Sequence, residues 1–522
     1  MEDPPITKLH RDLLWQIFAT NAALDLPKIG QEFGTYSSFP SPLTTARHTS
    51  QVCSSWRQLI IDSPSLWGNI IDLEALQQAS DAWRNEVLLR TGNSDLLIFG
   101  NLGGEGRQHA KEFLEILLKH HWTRIKWVHL EFNGFDNAEW PDSAWSALGR
   151  PAPSLRFFSI RFERDVLPSI CLSAGFILFA NHAPLLADFQ QNHLPMNLEA
   201  SWTSSLISLT LNSASNLKLS ILLETCSRMR SLQTLRLMSN DFAREGPSPE
   251  GSLHYVNIPS LSNLVIECPF DVSLTILDHI TPAPGCSLQL SANLTNIHSI
   301  TPTDLVAAQR IIAKLANNYF CHRSATSFQL SFNPGPQFIS AGDMGGFMVS
   351  IRCVATIPDS LFLLLLGTFK PTHISGVKTL RLLTYFGLPP STDFLAVMTA
   401  LEVLEITSHS LIYFIDLLDS VDQQCSFPHL KTLIWKPDII VFADVTSLVV
   451  NFLATRRKIG MPIEVFDFTG WHMSSDIPMD TEMLEEIPGL KVVWLEEDNR
   501  LREYTCGSGR PQELDAIRNP DW

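Results

Sequence analysis

One phrase recurs along this chain and limits its fold more than any other feature. It is a large apolar residue, two others, a second large apolar residue, one other, and a third. It reads Leu155-Arg156-Phe157-Phe158-Ser159-Ile160, Leu206-Ile207-Ser208-Leu209-Thr210-Leu211, Leu232-Gln233-Thr234-Leu235-Arg236-Leu237 and Leu261-Ser262-Asn263-Leu264-Val265-Ile266. It returns as Val377-Lys378-Thr379-Leu380-Arg381-Leu382, Leu401-Glu402-Val403-Leu404-Glu405-Ile406 and Leu430-Lys431-Thr432-Leu433-Ile434-Trp435. The last copies are Ile463-Glu464-Val465-Phe466-Asp467-Phe468 and Leu490-Lys491-Val492-Val493-Trp494-Leu495. Side chains alternate along a strand, so positions four and six point to one face. Position one anchors the turn before it. Pro153, Pro259, Pro428, Pro462 and Pro488 introduce several copies, and helical stretches lie between others: Leu217 to Met229, Asp393 to Met398, Ser410 to Val421. A single unit of this kind cannot bury its own apolar faces, so the units must stack.

The pattern resembles a leucine-rich-repeat solenoid. Leu206 precedes Leu232 by 26 residues and Leu430 precedes Ile463 by 33, and the family's signature asparagine is mostly missing. That matches the irregular, helix-backed type. The resemblance implies an α/β fold, with strands in one parallel sheet and helices behind it, over residues 95–498. Asp95–Phe99 and Ile125–Phe132 read as strands around a helix, Arg107–His120, with Phe113, Ile116, Leu117 and His120 aligned. In the middle, Gly285–Leu290 and Ser327–Phe332 read as strands and Thr303–Asn317 as a helix. Asn333–Gly346, rich in glycine and proline, reads as a loop, and 236–258 holds a polar insertion with Gly246-Pro247-Ser248-Pro249. Residues 74–94 form a linker whose helix, Ala75–Arg90, places Leu76, Ala79, Trp83, Val87 and Leu88 on one side. Residues 499–522 are either a cap on the last repeat or a loose tail.

A different pattern precedes the repeats. In Gln51-Val52-Cys53-Ser54-Ser55-Trp56-Arg57-Gln58-Leu59-Ile60, the apolar residues Val52, Cys53, Trp56, Leu59 and Ile60 sit at helical spacing. Asp62-Ser63-Pro64 ends that helix, and Pro64 opens another that carries Leu66 and Trp67. Upstream, Leu9-His10-Arg11-Asp12-Leu13-Leu14-Trp15-Gln16-Ile17-Phe18 has a second helical period. In this order the two stretches resemble the halves of an F-box, with His10 where the family has proline. Residues 25–45 between them, rich in Pro, Gly and Ser, read as a long mobile insertion of the kind seen in F-box proteins of mushroom-forming fungi. The resemblance makes residues 1–73 a small all-α F-box. It implies that Leu9, Leu13, Leu14, Ile17, Phe18, Val52, Cys53, Trp56, Leu59, Leu66 and Trp67 lie on or beneath a surface for a Skp adaptor.

The totals agree with a large globular body. The chain has 522 residues, 45% hydrophobic and 18% charged, with a formal net charge of −16. Nucleic acid and anionic membrane attract basic surfaces, so neither is expected as a partner. The nine cysteines are scattered without a Cys-x-x-Cys, as in a reducing compartment. The start Met1-Glu2-Asp3-Pro4-Pro5 is not that of a signal peptide, and the apolar run Leu361–Leu366 is too short to span a bilayer. Cytoplasm or nucleus is the expected location.

Chemistry is sparse. No phosphate-binding Gly-x-x-x-x-Gly-Lys, Gly-x-Ser-x-Gly elbow or His-Glu-x-x-His occurs. His120 and His121 are adjacent and face different sides of a helix, which suits packing better than metal binding. Glu485-Glu486 and Glu496-Glu497-Asp498 form acidic runs that read as a solvated face or as a seat for a basic ligand. No catalytic residue, metal or cofactor is therefore expected. The resemblance implies the substrate-recognition subunit of a Skp–cullin–F-box ubiquitin ligase, whose repeats hold a target protein. Arg236, Arg381 and Glu405, set between inward leucines, are the candidates for that contact. The alternative is a protein-binding scaffold that works without cullin.

Overall fold

The computed structural model describes residues 9–22, 41–103, 106–132, 145–162, 171, 173, 175–192, 194, 196–212, 217–239, 242, 253–294, 301–333, 338–353, 359–384, 392–420, 427–436, 446–471, 480–496 and 498–517. The chain is mixed α/β and divides into two compact units. The N-terminal unit is Met1–Val265 with His279–Ala283, and the C-terminal unit is Ile266–Asp278 with Pro284–Trp522. The division falls inside residues 95–498. Most of the 25–45 insertion and the Gly246–Pro249 segment lie outside the described residues.

The N-terminal unit starts with four helices: α1 (Arg11–Ala22), α2 (Pro42–Thr49), α3 (Ser54–Ile61) and α4 (Pro64–Gly68). Two expectations change here. Residues 42–45 are helical, because Pro42 pre-sets the first turn of α2 and Leu43 and Ala46 are buried beneath it. Val52 and Cys53 precede α3 instead of lying on it, Cys53 being the extended residue at its N-cap. Pro64 opens α4 as expected. Strand β1 (Ile71–Asp72) follows. Burial pushes the Asp72 carboxyl up, while Ser41 Oγ and the Glu74 and Ala75 amides donate to it.

The linker helix is shorter than its apolar period. α5 is Asp81–Arg90, capped by Ser80, whose Oγ accepts from Ala82 N at 3.2 Å. Residues before it are turned around Arg84, a buried guanidinium that donates to the carbonyls of Leu76 and Gln78 and pairs with Asp81. Then come β2 (Leu96–Asn101), α6 (Gln108–His120), β3 (Ile125–Phe132), β4 (Phe157–Phe162), β5 (Asp188–Asn192), β6 (Ser208–Asn212), α7 (Leu219–Arg228) and β7 (Thr234–Met238). On α6 the buried residues are Ala110, Phe113, Leu114, Leu117 and Leu118, so Ile116 and His120 point away from the expected side. Strands β1 to β7 pair in linear order, each parallel to the next.

β5 was not legible as a repeat because polar Gln191 takes the sixth position of Leu186-Ala187-Asp188-Phe189-Gln190-Gln191. Gln191 is buried nonetheless, accepting from Leu194 N at 2.8 Å. Beside it Asn192 accepts from Phe162 N at 2.7 Å and donates to the Phe162 carbonyl, tying off the end of β4. The unit also holds a small parallel pair, β8 (Val256–Ile258) with Ile280–Pro282, while β9 (Asn263–Pro269) and α8 (Phe270–His279) cross the division. Ile280–Pro282 is β10.

The C-terminal unit continues with β11 (Ser287–Leu294), α9 (Pro302–Phe320), β12 (Ser327–Asn333), β13 (Phe338–Asp343) and β14 (Phe347–Cys353). A capping box starts α9 one turn-residue earlier than its apolar period: Thr301 Oγ1 accepts from Asp304 N and Asp304 Oδ2 from Thr301 N. Within the expected loop at 333–346, Asn333 and Phe338–Asp343 are strand. β12, β13 and β14 form an antiparallel meander set between β11 on one side and β15 on the other. Gly342 belongs to β13 because a Cβ there would run into the Phe347 carbonyl of the hairpin partner. At the hairpin, buried Asp343 accepts from Tyr319 Oη of α9 at 2.6 Å.

The remaining elements are α10 (Asp359–Leu366), α11 (Pro371–Ile374), β15 (Thr379–Thr384), α12 (Thr392–Ala396), β16 (Val403–Thr407), α13 (Ser408–Ser420), β17 (Thr432–Lys436), α14 (Thr446–Lys458), β18 (Val465–Asp467), β19 (Lys491–Leu495) and β20 (Leu501–Thr505). Strands β15 to β19 are parallel in linear order, and β20 closes antiparallel on β19. The stretch after 498 is thus a cap as far as residue 517. Each of the nine phrases holds a strand, and in the first eight, positions one, four and six are buried. The ninth slips by one residue: Phe466 is opposite Val492, and Val492 and Trp494 point inward in place of Val493 and Leu495. Glu485 accepts from Tyr504 Oη and Gly509 N, and Glu496 pairs with Arg502, so these acids of the expected acidic face serve the cap.

Candidate functional site

The helical N-terminus leaves an apolar stripe in water. Leu9, Leu13 and Ile17, four residues apart, are 37%, 49% and 41% exposed, and Val52 beside α3 is 63% exposed. Cys53 is also exposed, and Leu14 and Trp56 are half-buried. Phe18, Leu59, Leu66 and Trp67 of the same helices are buried. Phe18 and Trp56 hold α1 against α3, their ring centroids 4.8 Å apart. His10, in the place of a proline, serves the start of α1. Its Nδ1 accepts from Asp12 N at 3.4 Å and its carbonyl from the amides of Leu13 and Leu14. Apolar residues grouped in this way on a charged protein mark a surface that another molecule covers.

Cys53 Sγ lies 3.1 Å from Ser55 Oγ, and that contact lowers the thiol pKa first, followed by the Trp56 amide. The other described cysteines are free thiols, all buried apart from Cys321. His121, half-buried, stands 3.2 Å from Arg124 Nη1, and burial lowers its pKa.

The sheet-side candidates fall in different units. Arg236 is in the N-terminal unit, in register with Phe99, His129, Ser159, Gln190 and Thr210. Of this row, Phe99, His129, Ser159 and Thr210 are buried and Gln190 and Arg236 half-buried. Phe157, Asp188, Ser208 and Thr234 in the adjacent row are buried too. The outward side of this sheet is covered along these stretches, while Leu97, Trp127 and Glu131 are half-buried and Arg161 is exposed. Arg381 and Glu405 belong to the C-terminal unit, where they are cross-strand neighbours. Arg381 Nε lies 2.8 Å from Glu405 Oε2, and Lys436 Nζ lies 3.6 Å from Glu405 Oε1. Lys436 was not singled out in the sequence, although it follows the Leu430 phrase directly.

Burial, helped by Arg161, pushes the His129 imidazole down to about 3, so it is neutral in the folded chain. Unfolding restores an ordinary value of about 6.5. The stabilisation carried by neutral His129 is complete above that value and falls as pH drops toward the folded value. Between pH 7 and pH 5 the loss should be about 2 kcal/mol. Urea titrations at the two pH values should show the wild type losing that much more than His129→Gln. Equal losses would mean that the ring is not held neutral.

Among the described residues, no group of three or more His, Cys, Asp or Glu side chains is placed to hold a metal ion, and no helix is long and apolar enough to cross a membrane. No protein-family model matches the chain, and no curated protein matches it.

Proposed function

We propose that the protein is the substrate-recognition subunit of a Skp–cullin–F-box ubiquitin ligase, acting in the cytoplasm or nucleus. The observation that carries this reading is that Leu9, Leu13 and Ile17, four residues apart, are exposed together with Val52, while Phe18, Leu59, Leu66 and Trp67 of the same helices are buried. It gives the N-terminal helices one open apolar side, of the kind an adaptor would cover. The stacked strands behind would hold a target protein. In such a ligase no residue of this chain makes or breaks a bond. Its contribution is proximity, holding a target lysine near a ubiquitin-loaded conjugating enzyme.

The test is co-purification of the tagged chain with a Skp adaptor and a cullin. Recovery of both supports the proposal. Recovery of the adaptor without cullin would turn the reading to a cullin-independent scaffold, and recovery of neither would overturn the adaptor assignment.

A further inference from the structure

We propose that the free edge of β20 binds an extended segment of another protein, which joins the sheet as one more strand. The inference does not depend on the adaptor assignment.

The register of β20 on β19 decides where its backbone groups point. Glu496 N donates to the Arg500 carbonyl at 3.0 Å, and Cys506 N to the Leu490 carbonyl at 2.8 Å. Bonded and non-bonded pairs alternate in an antiparallel ladder, so Arg502 opposite Trp494 and Tyr504 opposite Val492 bond toward β19. Leu501, Glu503 and Thr505 turn their N–H and C=O groups the other way, where none has a partner among the described residues. All three residues are exposed. Alternate residues of a strand stand about 6.8 Å apart. Donors and acceptors in line at that spacing match the backbone of an extended chain.

Nothing described closes this edge. Gly509 N donates to Glu485 and Arg510 N to Tyr504 Oη at 3.0 Å, which carries the chain after β20 to the inward side. Sheet edges are often guarded by charged side chains. Here the charges turn back onto the cap: Glu503 pairs with Lys491, and Arg502 Nε lies 2.8 Å from Glu496 Oε1. The edge therefore asks for no particular charge in its occupant. Leu501, 62% exposed, faces outward opposite half-buried Leu495, with half-buried Val493 beside them. An added strand gains most there from a β-branched or aromatic side chain. A second copy of this chain fits less well. Two-fold pairing centred on Glu503 or on Arg502 sets like charges directly opposite each other, and centring on Tyr504 leaves Leu501 without a neighbour.

The experiment is selection from a displayed library of random 12-residue peptides against the full chain, then fluorescence anisotropy with the best peptide. Enriched peptides should be rich in β-branched and aromatic residues. Glu503→Pro removes an outward N–H and no bond to β19, a place where an edge strand accepts proline. It should weaken the peptide about tenfold, while Glu503→Ala should leave its affinity nearly unchanged. On the wild type, N-methylating alternate peptide residues should abolish binding in one phase of the alternation and spare it in the other. That series decides the matter even if the proline variant is unstable. No enrichment, equal affinities in the two variants, or the same response in both N-methyl phases would overturn the inference. So would a dimer in sedimentation that Glu503→Pro dissolves, because the edge would then belong to a second copy.

Discussion

Replacing Leu13 and Ile17 together by aspartate should abolish adaptor binding, with a loss on the order of 100-fold or more, and leave the fold intact. The two side chains are 49% and 41% exposed on one side of α1, so the folded protein gives up little packing when they change. In a covered interface each aspartate would be a desolvated charge without a partner, which adds to the lost apolar contact. The control is Leu89→Asp on α5, where an apolar side chain 75% exposed lies outside the stripe. That change should leave adaptor binding unaltered. Titration calorimetry with the purified adaptor measures affinity, and urea midpoints report stability. Unchanged affinity in the double variant would remove the docking role of the stripe. A large fall in urea midpoint would show that α1 packs on its outer side as well.

The repeat phrase shows why much of this fold was legible and where legibility stops. Leu404 and Ile406 could be placed inward because Val403 and Glu405 alternate with them, and a side-chain period of two leaves a single solution when one face is buried. At 492–495 the run Val-Val-Trp-Leu is apolar throughout, so the pattern fits either register equally well. The structure takes the one that buries Val492 and Trp494. β13 was hidden for another reason. Glycine usually signals a turn, yet Gly342 is in a strand because the neighbouring strand comes too close for a side chain. The length of α5 was hidden by Arg84, a charged residue whose role is to hold carbonyls of the turn before the helix.

The candidate surface divided in the same way. Spacing placed Leu9, Leu13 and Ile17 in one line, but it could not decide which apolar residues of α1 faced the body. That depends on what α3 presents, and Trp56 draws Phe18 inward. Among the sheet positions, Arg381 and Glu405 were visible as charges between leucines. Their pairing depends on the alignment of β15 with β16, a long-range relation that no local pattern carries.

Replacing Trp67 by alanine should destabilise the protein by about 3–5 kcal/mol, the largest single effect expected away from the docking stripe. The indole is completely buried, lies edge-on to Trp83 with centroids 6.2 Å apart, and has the Arg90 guanidinium 4.6 Å from its ring centre. Its Nε1 donates to the Ile60 carbonyl at 2.8 Å. That carbonyl is at the end of α3, where it also accepts from Ser63 N at 3.2 Å. Alanine would leave a cavity and remove the indole's hydrogen bond, with the Ser63 amide still donating to the same carbonyl. Trp67→Phe separates the two contributions, since it keeps most of the ring and removes the donor, and it should cost about 1–3 kcal/mol. Because Trp67 joins α4 to both α3 and α5, its loss should loosen the platform that carries Val52 and Trp56. Adaptor affinity should therefore fall together with the urea midpoint. In the Leu13 and Ile17 variant affinity should fall alone. A Trp67→Ala protein with an unchanged midpoint would mean that α4 is not held to α3 and α5 through this residue.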